Sequence, residues 1–183
     1  MKKHCNIWSI LLGAIVFSNS AMADYAISLA YGQSNKPDGL KAYQVGVQKL
    51  WAKKWFEHEK FYLSGYWDVQ AGYVKANANP GENKSLYQIA VLPSLRFNIA
   101  LSNTVAWYLD AGIGPGIISK TSLGNRQMST AFQFYNQVGT GLRFGTKQVF
   151  DLGVYYVHLS NASIKRPNTG MDMLPRIKLA YYF

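Results

Sequence analysis

The feature that most constrains this chain is an alternation of period two that recurs along its length without ever becoming a continuous apolar run. Past residue 23 no stretch approaches 18 consecutive apolar residues, so a membrane-spanning helix is excluded. Tyr25, Ile27, Leu29 and Tyr31 share one face, with Ala26, Ser28 and Ala30 on the other. Tyr43, Val45 and Val47 oppose Gln44, Gly46 and Gln48, and Phe61, Leu63, Trp67, Val69 and Tyr73 oppose Tyr62, Ser64, Asp68, Gln70 and Gly72. Tyr87, Ile89 and Val91 continue the pattern against Gln88 and Ala90. Alternation of this kind marks strands with one face toward each of two environments. Val105–Ile113, Thr130–Phe144, Val149–Ser160 and Met173–Phe183 read the same way, which makes eight strands.

The connectors fall into two classes. Asn35–Gly39, Ala76–Ser85, Ser119–Ser129 and Asn161–Asp172 are polar and rich in Asn, Gly, Lys or Ser, whereas Ala52–Trp55, Leu101–Thr104 and Gly145–Gln148 are generally shorter. Short turns at one end and longer loops at the other are the pattern of an outer-membrane barrel. Open sheet edges cannot face hydrocarbon, so the sheet must close. The expected fold is all-β: an eight-stranded antiparallel transmembrane β-barrel, apolar and aromatic outside, packed inside. Gly46, Gly72, Gly112, Gly139, Gly141 and Gly153 fall on inward rows where they relieve crowding. A soluble ligand-binding barrel has the inverse arrangement, and period alone does not separate the two. The aromatic strand ends (13 Tyr and 5 Trp in all) and a terminal strand closed by Phe183 favour the membrane.

The N-terminus fits export. A basic start, an apolar Ile7–Phe17 and Ala21-Met22-Ala23 read as a signal peptide over residues 1–23, leaving 24–183 as a single barrel domain. The only cysteine, Cys5, lies in that segment, so the mature chain has no thiol for a disulfide, a thiolate metal site or a nucleophile. Loss of Lys2 and Lys3 takes the formal charge from +10 to +8. For an exported basic protein the fitting partner is an anionic membrane surface, not nucleic acid.

One strand breaks its own pattern. Phe150, Leu152, Val154 and Tyr156 form an apolar outward row, which His158 and Ser160 continue next to a long loop. Polar groups facing hydrocarbon cost roughly 1–3 kcal/mol if unpaired, so packing does not account for them. Two residues apart on one face, about 7 Å along the strand, their side chains can lean together. His158 can then take a proton from Ser160 as the hydroxyl attacks an ester. Asp172, where the following strand begins, is the carboxylate available to orient the imidazole; Asp151 lies on the opposite face. Asp172 does not share the odd parity of Ile177, Leu179 and Tyr181, so the regular strand is expected to start after Pro175. The other mature histidine, His58, sits between Glu57 and Glu59 in a connector at the opposite rim and reads as a solvated turn residue. Neither histidine has a ligand cluster around it, and no metal or other cofactor is expected.

The segment His158-Leu159-Ser160-Asn161-Ala162, followed by Asn168-Thr169-Gly170 and the acid at 172, resembles the motif of the lipid A 3-O-deacylases, the PagL family. The resemblance implies an eight-stranded outer-membrane barrel that hydrolyses the ester at the 3-position of lipid A. It implies Ser160 as nucleophile, His158 as base, Asp172 as orienting acid and Asn161 in the oxyanion hole, with a backbone N–H near Ser163 as second donor. Two positions depart from the family: Asp172 stands where its best-known members carry Glu, and Ser163 where a glycine is expected. Lys165 and Arg166 are candidates for a substrate phosphate. The implied partners are lipid A in lipopolysaccharide and outer-membrane lipids, with a second copy of the chain left open. The competing readings are a non-enzymatic barrel of the OmpX or OmpW type and a lipid A acyltransferase of the PagP type, whose acyl pocket would be internal.

Overall fold

Each alternating segment pairs with its neighbour in sequence. The computed structural model describes residues 24–34 and 39–183; the signal peptide expected over residues 1–23 lies outside the described residues. The strands are β1 (Tyr25–Gln33), β2 (Lys41–Leu50), β3 (Phe61–Lys75), β4 (Ser85–Ala100), β5 (Val105–Ile118), β6 (Ser122–Leu123), β7 (Arg126–Gln127), β8 (Phe132–Phe144), β9 (Phe150–Ser160) and β10 (Met171–Tyr182). Eight of them close into an antiparallel barrel in the order β1-β10-β9-β8-β5-β4-β3-β2. The remaining two, β6 and β7, form a small hairpin within the β5–β8 loop. Two strands outrun their sequence-based ends: β4 continues through Pro93, which lies opposite Trp67, and β5 extends to Ile118. The β2–β3 connector is longer than its class predicts, spanning residues 51–60.

The alternation is the wall itself. Along β2 and β9 exposed and buried residues alternate almost without exception. The outward rows carry the large apolar side chains, including Leu29, Val45, Ile89, Leu152 and Leu179. Aromatic side chains border this band at both ends. Tyr31, Tyr43, Tyr73 and Tyr87 are successive cross-strand partners near the long-loop end. Phe144, Phe150 and Tyr181 pack in sequence near the other, at 5.8 and 5.4 Å between centroids. This is the double aromatic girdle of a transmembrane barrel.

Among the described residues the interior is filled with buried side chains. At its centre Arg96 bridges Asp110 and Asp151, each at 2.6 Å, although the three residues lie on three different strands. Tyr66 donates to Asp110 and Tyr108 to Asp151, both at 2.6 Å, and the Tyr108 ring lies 3.8 Å from the Arg96 guanidinium. A buried cation satisfied on two sides in this way costs far less than an unpaired one. Gly141 and Gly153 make room for this cluster, since a Cβ on either would come within 2.3 Å of the Tyr108 hydroxyl. Toward the long loops the filling turns apolar, with Leu86, Ile118, Leu123, Met128, Leu159, Met171 and Met173 buried together. This plug gives the loops of that end a firm base.

Candidate active site on the outer wall

The site grows out of a local change in strand register. On β9 the outward row runs Phe150, Leu152, Val154 and Tyr156, then His158 and Ser160, both half-exposed. Tyr156 supplies the aromatic girdle on this strand, so His158 stands one same-face step beyond it, toward the loops. On β10, Asp172 lies directly opposite His158. The regular strand does not begin after Pro175, as expected, but at Met171. Parity is reset by a bulge: Met173 faces Val157 and Arg176 faces Tyr155, so three residues on β10 span two on β9. Pro175, which has no N–H to give to a ladder, falls inside it. Asp172 above the bulge and Ile177 below it therefore both point outward, although one number is even and the other odd.

This register brings His158 Nδ1 within 2.7 Å of Asp172 Oδ1. Direct cross-strand pairing sets the two Cβ atoms close enough that the shorter acid suffices. The Tyr156 hydroxyl donates to the same carboxylate oxygen at 2.8 Å. In the sequence Tyr156 reads only as part of the apolar outward row, because nothing in a linear pattern reveals a diagonal partner on the next strand. The pair is half-buried, with side-chain exposures of 36% for His158 and 22% for Asp172.

Gly170 closes the space beside the ring. Its φ is +60°, and a Cβ there would lie 3.1 Å from His158 Cε1 and 3.6 Å from Ser160 Cβ. Any larger residue would be strained in its backbone and would press on the imidazole. The Gly170 carbonyl accepts a hydrogen bond from Arg126, and Thr169 exchanges bonds with Gln127, so the hairpin of β6 and β7 braces the β9–β10 loop.

Asn161 departs from expectation. A side chain one position past Ser160 points inward, and Asn161 is fully buried. Its amide donates to the carbonyls of Met128 at 2.7 Å and Lys165 at 2.9 Å. Rather than a free donor facing the membrane, it is a brace that ties the loop to its neighbour. Beyond it, Ala162 and Ser163 both adopt positive φ, at 51° and 62°. The glycine-favouring conformation thus persists at Ser163 despite its Cβ, at a cost of roughly 1–2 kcal/mol. The turn is closed by the Ile164 N–H on the Asn161 carbonyl at 3.0 Å.

Lys165 and Arg166 are exposed in the same loop. At the opposite rim, exposed His58 stacks on Phe61 with centroids 5.2 Å apart, far from this cluster. One further polar residue escaped the sequence reading. Asn136 of β8, on the outward row between Phe134 and Val138, lies directly opposite His158 on the side away from Asp172. Its signal, a polar residue breaking an apolar row, is the same one that exposed His158.

Fold and site together define a class: an outer-membrane β-barrel that gathers polar side chains on its lipid-facing wall, just beyond one aromatic girdle. Residues 41–175 match the family described as Lipid A 3-O-deacylase (PagL), and the chain belongs to that family. It is 28% identical over 162 residues to the lipid A deacylase PagL of Pseudomonas aeruginosa, spanning 88% of this chain and 87% of that protein. To the lipid A deacylase PagL of Bordetella bronchiseptica it is 29% identical over 120 residues, 66% of this chain and 58% of the relative. Among solved structures, the crystal structure of the outer membrane enzyme PagL superposes with a TM-score of 0.75 at 25% identity, over 86% of this chain and 99% of that one.

Proposed function

We propose that this protein removes the acyl chain esterified at the 3-position of lipid A, with Ser160 as nucleophile, His158 as base and Asp172 as orienting acid. The observation that carries the reading is the 2.7 Å His158–Asp172 contact on the lipid-facing wall, with Ser160 on the same row. Membership of the deacylase family supplies the substrate class.

The reaction is acyl transfer to water without a cofactor. Asp172 accepts a hydrogen bond from the Nδ1–H of His158, which leaves Nε2 to take the Ser160 proton. Ser160 Oγ then bonds to the acyl carbonyl carbon. As the tetrahedral intermediate collapses, the carbon–oxygen bond to the sugar breaks and the imidazolium protonates the departing 3-oxygen. Water, deprotonated by His158, attacks the acyl-enzyme and releases the fatty acid. The backbone N–H near Ser163 is the oxyanion donor implied by the family resemblance; Asn161 joins it only by releasing the Met128 or Lys165 carbonyl. One such donor contributes about 3–4 kcal/mol in comparable enzymes.

The setting suits the substrate. Acyl chains lie along the apolar wall below His158, the sugar sits at head-group level, and Lys165 and Arg166 stand where phosphates would be. The test is mass analysis of lipid A after incubation with the purified barrel. Loss of a single 3-hydroxyacyl group is expected, and Ser160→Ala should abolish it while heat-modifiable gel migration is retained. An active Ser160→Ala protein refutes the nucleophile; a gain in mass refutes the hydrolase.

A further inference from the structure

Asn136 is a polar side chain on a wall that otherwise meets hydrocarbon. Its row reads Phe132, Phe134, Asn136, Val138, Thr140, Leu142 and Phe144. Thr140 is polar too, but it donates to the Tyr108 carbonyl at 2.8 Å, so the ladder absorbs its hydroxyl. Among the described residues Asn136 makes one long contact of this kind, 3.4 Å from its Nδ2 to the His158 carbonyl. That contact engages one N–H of a carboxamide, which also carries a second N–H and an oxygen. A half-buried amide facing acyl chains calls for a polar group on the chain that lies against it.

Its position indicates which group. Ser160 faces Phe134 across the β8–β9 ladder, and His158 faces Asn136. Asn136 therefore lies one same-face step, about 7 Å, closer to the membrane interior than the level of Ser160. An acyl chain whose carbonyl is at Ser160 must descend past it. The third carbon of that chain is roughly 2.5 Å beyond the carbonyl carbon, by ordinary bond lengths. A carboxamide reaches about as far from its Cβ, and a hydrogen bond of roughly 2.9 Å closes the remaining gap.

We infer that Asn136 is a specificity-determining residue that hydrogen-bonds a hydroxyl on the third carbon of the departing acyl chain. The inference rests on the deacylase reading above. Asn136 thereby selects hydroxylated over plain acyl chains at the scissile ester. A plain chain would set methylenes against the carboxamide and leave the amide unsatisfied, which opposes its binding in the reactive pose.

The experiment compares two synthetic lipid A esters of equal chain length, one with a 3-hydroxyacyl and one with an unsubstituted acyl group at the 3-position. Both are offered to the full barrel in detergent. The wild type should favour the hydroxylated ester by about tenfold in kcat/KM, the scale of one neutral hydrogen bond. Asn136→Leu should bring that ratio close to one, chiefly by slowing the hydroxylated ester. Heat-modifiable migration and the rate of Ser160 labelling by a fluorophosphonate should remain at wild-type levels. Equal slowing of both esters in Asn136→Leu, or unchanged preference, overturns the inference; equal slowing would place Asn136 at the oxyanion or in the architecture. A wild type active on both esters without preference overturns it too and leaves the deacylase reading standing. A wild type inactive on both refutes that reading as well.

Discussion

Asp172→Asn separates what the carboxylate contributes by charge from what it contributes by orientation. In a triad whose acid acts alone, an Asp→Asn change can reverse the hydrogen bond and trap the wrong imidazole tautomer, which costs about 10⁴-fold in the serine-protease example. Here the outcome should be milder. The Tyr156 hydroxyl donates to the same oxygen that meets His158 Nδ1, at 2.8 and 2.7 Å. In the variant, Tyr156 should keep an oxygen, not an NH₂ group, at that point, and the Nδ1–H tautomer should survive. What remains lost is the attraction between carboxylate and imidazolium. At about 4 Å between charge centres and an effective dielectric of 20, this is about 4 kcal/mol. A pair as exposed as this one is screened by water, which lowers the figure to about 2 kcal/mol, or roughly 30-fold in kcat. Tyr156→Phe alone should cost only a few-fold, because the carboxylate can still orient the ring. The double variant should fall well below the product of the two, because neither charge nor tautomer is then fixed. The assay is acyl release from lipid A at saturating substrate, with kcat read for all four proteins. An Asp172→Asn enzyme within threefold of wild type, or strict multiplicativity in the cycle, would refute the reasoning.

Two other consequences can be checked directly. Arg96→Met leaves Asp110 and Asp151 buried without their shared cation, so the barrel should lose about 3–5 kcal/mol; the readout is the denaturant midpoint of heat-modifiable migration, and an unchanged midpoint contradicts the role given to the interior cluster. Lys165→Ala with Arg166→Ala should raise KM for phosphorylated lipid A a few-fold at unchanged kcat, less at high salt and not at all for dephosphorylated substrate, and a uniform effect across these conditions would dissociate the loop from phosphate.

The barrel was legible because both of its environments write on the sequence: every outward row must be apolar, so strand facing follows from parity alone. His158 stood out for the same reason. Asp172 was reachable as the carboxylate at the start of the next strand, but its parity is wrong for a uniform strand and the bulge that corrects it leaves only Pro175 as a hint. Asn136 broke an apolar row as His158 did, but its place beside His158, like the partnership of Tyr156 with Asp172, needed the register of adjacent strands, information held in no single segment. The Arg96 cluster could not be read because its members lie 14 and 55 residues apart in sequence, and only closure of the sheet brings them together. The hairpin of β6 and β7 has strands of two residues, too short to show a period.

The irregularity at Leu174 and Pro175 divides β10 into two independently phased halves. The half above it aims a carboxylate at the imidazole; the half below keeps Arg176 and Lys178 in the lumen and presents Ile177, Leu179 and Tyr181 to lipid. Deleting one residue there would force one half to turn inside out, and either the acid would vanish into the barrel or two cations would emerge into the bilayer. Chemistry and anchorage share a strand but not a phase, so substitutions that tune one need not disturb the other.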